Sequence, residues 1–355
     1  MVLICACLAG VAFAQDSTDS KPRAIYLAIP PHSYYPVQPS SSQLTQWIYN
    51  YSYKSNKYSP TIVGTDPRTT NITTTTPVFI VPIKMVFGKS NGNKTYDPLK
   101  NKFPGQKVSV LQTILNSPIF EGIDFKQGGV DLGKTQYEDA YERGSFWKYV
   151  SKNTKYHVLL GKPTVLAEQT IKVTPAEGQV GNNPFGGGLV GYFDPNVMDS
   201  LIQGYMQKFS QIHPNSLPLF ITYETYLSCG SGCAIGGYHS ANGGQPGGQT
   251  YSFTTAIDPG HFAEDTNALS HEFGEWLLDP FTDNNSPCGI MENGDPLETE
   301  PNYGAFPYTS KGFTYHLQDL VFISYFGAPR NTSLKSWFTF QNETNVTAPC
   351  DRGSF

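Results

Sequence analysis

Asn267-Ala-Leu-Ser-His-Glu-Phe-Gly-Glu-Trp-Leu-Leu-Asp-Pro280 is the stretch on which the reading of the chain turns. Leu269, Phe273, Trp276 and Leu277 fall at i, i+4, i+7 and i+8, so they form one apolar stripe of an α-helix. Asp265 or Thr266 can cap its start, and Pro280 forbids continuation past Asp279. The opposite face carries His271, Glu275 and Asp279 at successive steps of four, with Glu272 beside them. Carboxylates gathered round an imidazole are odd on a merely solvated face, although a hydrogen-bonded His/Glu pair would need no metal.

The run His271-Glu272-Phe273-Gly274-Glu275 sets its outer residues four apart. In the His-Glu-x-x-His pattern that spacing lets two side chains grip zinc while the intervening Glu takes a proton from water. Here the second position is a carboxylate, which zinc accepts at about 2.0–2.2 Å. His271 and Glu275 are therefore expected as metal ligands and Glu272 as the catalytic base. A third ligand is expected from the turn-like Met291-Glu292-Asn293-Gly294-Asp295-Pro296: Glu292 first, with Asp295, His239 and His316 in reserve. Asp279 would orient His271 or the Asn293-Gly294 turn. His316, in Thr314-Tyr-His-Leu-Gln-Asp319, is either a catalytic residue stabilising an oxyanion or a hydrogen-bonded structural histidine. Zn2+ is the expected ion, and a His-plus-carboxylate set also suits other divalent cations.

The 355 residues carry a net charge of −5 and only 15% are charged, which argues against nucleic-acid or anionic-membrane partners. Residues 1–14 are uninterrupted apolar or small and end in Ala12-Phe13-Ala14, the pattern of a secretory leader too short to span a bilayer. No later run is long and apolar enough for a membrane span. Removing the leader takes Cys5 and Cys7 and leaves Cys229, Cys233, Cys288 and Cys350. That even count suggests two disulfides out of three possible pairings, with Cys229–Cys233 and Cys288–Cys350 favoured. Sequons at Asn50, Asn71, Asn93, Asn284, Asn331, Asn342 and Asn345 fit an extracellular glycoprotein with N-glycans. Asn284 suits a glycan least, because Pro287 follows its Ser286 and it lies close to the proposed site.

Aromatics at 14%, with 34 Gly and 27 Pro, predict a turn-rich chain with much β-structure. Residues 15–76 form a Ser/Thr/Tyr-rich N-terminal segment without chemistry of its own. Pro77–Phe87 reads as a strand in which Pro82 marks an edge or a bend. Val108–Leu115 reads as a helix, and Tyr156–Ala167 and Thr170–Val173 as paired strands. Asp194-Pro195 opens a helix with Val197, Leu201, Tyr205 and Phe209 as its packed stripe. Leu217–Leu227 and Gln249–Ile257 read as strands, while His239 follows a Gly-Gly-Tyr loop. The order predicts an α+β fold: a single domain over 77–355, with a zincin-like mixed sheet, a long metal-site helix against it and a β-rich N-terminal half.

Cys233-Ala-Ile-Gly-Gly-Tyr-His239, Ala268–Pro280 and Glu292-Asn-Gly-Asp295 together resemble secreted bacterial and fungal proteins with a Ser-His-Glu-x-x-Glu-x-x-x-Asp-Pro helix. More distantly they resemble the exordium-like, phosphate-induced secreted proteins of plants. The likeness covers roughly residues 217–350 and matches at His239, His271, Glu272, Glu275, Asp279, Glu292 and Asp295. It implies a zincin-like metal site and extracellular residence. The expected function is a secreted, metallopeptidase-like zinc hydrolase acting on peptide, extracellular-matrix or cell-wall material. One rival is a carbohydrate- or matrix-binding protein whose metal is structural. Another is a decayed site with Glu272 in a buried salt bridge. No Gly-x-Ser-x-Gly elbow is present, so serine hydrolase chemistry is set aside.

Overall fold

Val78–Phe87, β-branched and aromatic, forms an unbroken strand in the computed structural model, which describes residues 22–35, 42–53, 55–127, 130–286, 289–291, 294 and 305–318. Its first half pairs in parallel with Leu217–Ile221 and its second half with Gln169–Val173. The change of partner falls at Pro82, which has no N–H to give to a ladder.

Ten more strands join it in one sheet. In chain order the first six are β1 (Arg23–Ala28), β2 (Val78–Phe87), β3 (Lys94–Tyr96), β4 (Thr164–Val165), β5 (Gln169–Val173) and β6 (Gly178–Asn182). There follow β7 (Leu189–Phe193), β8 (Leu217–Tyr223), β9 (Thr225–Ser228), β10 (Cys233–Asn242) and β11 (Gln249–Ala256). Neighbours run β4-β2-β8-β11-β10-β9-β7-β6, with β3 and β5 on β2 and β1 on β10. The β2, β3 and β5 side of the sheet meets β6 and β7 at the other end. Tyr96 Oη donates to Leu189 O at 2.6 Å, and Asn91 Nδ2 donates to Val173 O and Gly178 O at 2.9 and 3.2 Å. Phe87 lies so close over Gly191 that a Cβ there would stand 2.6 Å from its ring. Side chains, not a ladder, thus bring the sheet to a nearly closed, barrel-like form.

Of the described residues 40% are strand and 18% helix, which corrects the expected α+β class with its long metal-site helix. The cause is burial on both faces. Every residue of β8, β10 and β11 is buried, so these strands lack the apolar/polar alternation that marks a half-buried strand. Gly236-Gly-Tyr238, expected as a loop before His239, lies with that histidine inside β10. Leu217–Leu227 is not one strand: Glu224, at φ +47°, breaks it into β8 and β9. The expected pairing of Tyr156–Ala167 with Thr170–Val173 does not form either. His157–Leu160 pairs with Thr73–Thr76, and β4 and β5 both join β2 in parallel.

The helices are α1 (Val110–Leu115), α2 (Tyr137–Ser145), α3 (Pro195–Lys208) and α4 (Asn267–Leu278), besides a short turn at Trp147–Val150. Asp194 caps α3 as expected, its side chain accepting from Asn196 N and Val197 N. The decisive stretch is helical as read, but all twelve residues of α4 are buried. It is packed by β10, β11, α2 and the strand β13 of a hairpin, β12 (Ala305–Ser310) and β13 (Phe313–Gln318). Cys229 and Cys233 form the expected disulfide, with Cα atoms 5.2 Å apart. The leader, Cys288, Cys350, Glu292, Asp295, Asn331, Asn342 and Asn345 lie outside the described residues. Among those described, no helix is long and apolar enough to cross a membrane.

Candidate metal centre

The centre is assembled from one helix and one strand. On α4, the i, i+3 and i, i+4 rule aligns Glu272 with Glu275 and His271 with Glu275. On β10, alternation sends Gly237 and His239 to one face and Tyr238 to the other. Tyr238 accordingly stacks on Phe253 and donates to Asp199 Oδ1 on α3, while Gly237 and His239 meet α4. Gly237 is required by this approach, since a Cβ there would stand 2.7 Å from Glu272 Oε1.

His239 Nδ1 lies 3.1 Å from Glu272 Oε2 and 3.8 Å from Glu275 Oε2. His271 Nε2 lies 3.1 Å from Glu275 Oε1, which also accepts from Gly294 N at 3.1 Å. All four side chains, and Asp279, have no solvent exposure. Burial pushes the His239 imidazole down to about 3, with the nearby His271 adding to the effect against the opposing hydrogen bond to Asp279. The ring is therefore neutral near pH 7 and carries one proton. With a cation at Nδ1, that proton would sit on Nε2, which faces the Asp279 carbonyl at 3.1 Å. Nδ1 itself faces two carboxylates.

Three acceptor groups converge here: one ligand atom each from His239, Glu272 and Glu275 lies within 4.8 Å of the others. A neutral nitrogen and two carboxylates are a donor set for a divalent cation, so the residues fit a metal. The assignment of parts differs from the sequence reading. His239, held in reserve there, is central, and Glu272 stands among the ligand atoms. His271 enters through Glu275 and is covered by the Tyr26 ring at 4.0 Å. Asp279 acts through its carbonyl on His239 and accepts at Oδ1 from Asp283 N and Asn284 N.

His316 is not brought to this centre. Its Nδ1 lies 2.6 Å from Asp265 Oδ2 and 3.4 Å from Glu264 Oε2, at the start of α4. Asp265 precedes the helix, and from Asn267 to His271 the helix rises by roughly 6 Å more. Glu264, Asp265 and His316 form a second group whose ligand atoms lie within 4.8 Å of one another. Tyr26 and Gly237 escaped the sequence reading because both belong to strands without periodic signal. The Gly-Gly pair before Tyr238 was the available hint, since glycine inside a strand marks close approach. No known family model, curated protein or solved structure matches the chain.

Proposed function

We propose that the chain is a divalent-metal protein that works outside the cell as a peptide hydrolase, with zinc as the first-choice ion. The observation that carries the metal is the convergence of His239 Nδ1 with carboxylate oxygens of Glu272 and Glu275 in full burial. Two buried carboxylates beside a neutral ring call for an offsetting positive charge, which a divalent ion supplies. Hydrolysis is supported by the His271-Glu272-x-x-Glu275 run, and extracellular residence by residues 1–14.

In this reading His239 and Glu275 would hold the ion, with His271 steadying Glu275 from behind at 3.1 Å. When bound, zinc supplies a Lewis acid and lowers the pKa of water to about 7. Glu272, whose Oε2 lies 3.1 Å from His239 Nδ1, would accept a proton from water. The Asp279 carbonyl fixes the tautomer of His239, and the Gly294 amide fixes Glu275.

One observation favours a second reading, a structural ion in a binding protein. None of the candidate ligands is exposed, and closed coordination is typical of structural sites. Glu272 would then be a ligand rather than a base. Glu272→Gln separates the two by elemental mass spectrometry alongside a peptide-library assay. A hydrolase keeps its metal and loses turnover by about 100-fold or more. A structural centre loses metal in the same variant. Wild-type protein purified without any bound divalent ion would sink both readings.

A further inference from the structure

β1 runs along the side of β10 that β9 and β11 leave open, paired in parallel from Arg23↔Cys233 to Ala28↔His239. The register slips between Ile25 and Tyr26, so that Gly236 has no partner and the bulge turns Tyr26 inward. Tyr26 is the one buried residue of the strand. Its ring lies 5.0 Å from Phe262 and 4.0 Å from His271, and its hydroxyl donates to Asn267 Oδ1. Gly236 leaves the space: a Cβ there would meet the Tyr26 ring at 2.6 Å. Asn267 is itself buried, and its Nδ2 has no hydrogen-bond partner among the described residues. The socket around Tyr26 therefore keeps an unspent donor beside the acceptor already in use.

The strand is held by one ladder, by the buried Tyr26 and by the partly buried Ile25 and Leu27 against the core, whereas the chain just after it is fixed. Ser240 Oγ and Thr282 Oγ1 both donate to Ile29 O at 2.8 Å, and His32 Nε2 pairs with Asp199 Oδ2 at 2.6 Å. Peeling from Arg23 toward that hinge would bare the edge of β10, the aromatic socket and His271. Those are the parts that recognise an extended peptide by strand addition, the ladder giving affinity and the pocket giving selectivity.

We infer that β1 is a displaceable strap lying where an extended peptide substrate binds, and that the Tyr26 socket takes an aromatic, tyrosine-like side chain of that substrate. This rests on the hydrolase reading above and explains why such a centre is closed. The test uses the full zinc-loaded chain and fluorescein-labelled eight-residue peptides with a central Tyr or Ala, titrated by anisotropy. Tyr26→Ala is expected to bind the Tyr peptide about tenfold tighter than wild type or Tyr26→Phe, with no gain for the Ala peptide. No gain in a Tyr26→Ala protein of wild-type metal content, or an equal gain for both peptides, overturns the inference. If Tyr26→Ala does not fold, hydrogen exchange on the wild type decides. Excess Tyr peptide is expected to speed exchange across Ala24–Ala28 but not across β11, and unchanged exchange in β1 overturns the inference. Turnover is measured separately, so Tyr-selective binding without hydrolysis would support the socket while removing the hydrolase.

Discussion

Two groups of histidine and carboxylate lie along α4, one at its start and one in its body, and they meet the cost of buried charge by different means. At the start, Asp265 Oδ1 accepts from Thr266 N, Thr266 Oγ1 and His316 N, and Oδ2 faces His316 Nδ1. Glu264 Oε2 accepts from Gly260 N. This group is satisfied by its own backbone and by an imidazole that can carry charge. In the body, His239 is neutral and turns Nδ1 toward Glu272 and Glu275. Similar residue types therefore make a self-contained ion pair in one place and a cation-seeking centre in the other. The difference lies in which atom faces which.

The largest expected effect tests that contrast directly. Elemental analysis should find about one divalent ion per chain, lost in His239→Ala and in Glu275→Gln but kept in His316→Ala. An ion present at about 1,000 times its dissociation constant adds about 4 kcal/mol, so a chelator should lower the melting temperature by several degrees. Metal loss in His316→Ala with retention in His239→Ala would reverse the roles of the two groups.

A smaller effect comes from the glycine that lets β10 approach α4. In Gly237→Ala the new Cβ would stand 2.7 Å from Glu272 Oε1 and 3.0 Å from the Phe253 carbonyl, so both strand and helix must shift. Overpacking of this kind costs about 1–3 kcal/mol in denaturant unfolding, and metal occupancy should fall with it. Gly260→Ala, beside the other group, meets nothing within 4 Å and carries only the strain of φ +99°. If the two variants lose stability equally while Gly237→Ala keeps its metal, the tight approach is not what builds the centre.

The pH dependences should have opposite signs. Burial works against the charged form of His316, but the hydrogen bond and charge of Asp265, with Glu264 adding, outweigh it and raise the pKa above 6.5. A raised histidine contributes stability that is complete below about 6.5 and lost as pH rises through its folded value. His239 is depressed to about 3 by burial, so its contribution is complete above about 6.5 and lost as pH falls toward 3. His32, raised chiefly by its hydrogen bond to Asp199, adds to the alkaline loss. Urea midpoints measured from pH 5 to pH 9 should therefore decline less on the alkaline side in His316→Gln. An unaltered alkaline limb in that variant would mean that the His316–Asp265 pair is not charged in the folded protein.

How much of this was legible in the sequence follows from burial. The helix from Asn267, its stop before Pro280 and the meeting of His271 with Glu275 follow from local spacing and local stereochemistry, and they appear in the structure. The capped helix from Pro195 and the Cys229–Cys233 disulfide were legible for the same reason. The sheet was not, because β8, β10 and β11 are covered on both faces and their Thr, Gly and Tyr residues carry no alternation. The role of His239 was hidden with them: only the pairing of β10 with β11 and β1 sets that ring against α4. Asn284, doubtful as a sequon, is buried, its amide donating to Thr61 O and Leu278 O, which leaves no room for a glycan in the folded chain.

The smallest expected effect concerns Asp265, where the comparison is easiest to misread. Asp265 sits at φ +36°, a conformation that asparagine tolerates well, so Asp265→Asn keeps both the backbone geometry and an oxygen for Thr266 N and His316 N. What it removes is the charge opposite His316, a ring still about one-fifth exposed. Pairs with a partly exposed member are worth about 1 kcal/mol or less, so the loss in a urea titration at pH 6 should not exceed that. Metal content should stay at the wild-type level, because this carboxylate answers to an imidazole and to amides. A loss of several kcal/mol accompanied by loss of bound metal would make the start of α4 the metal site.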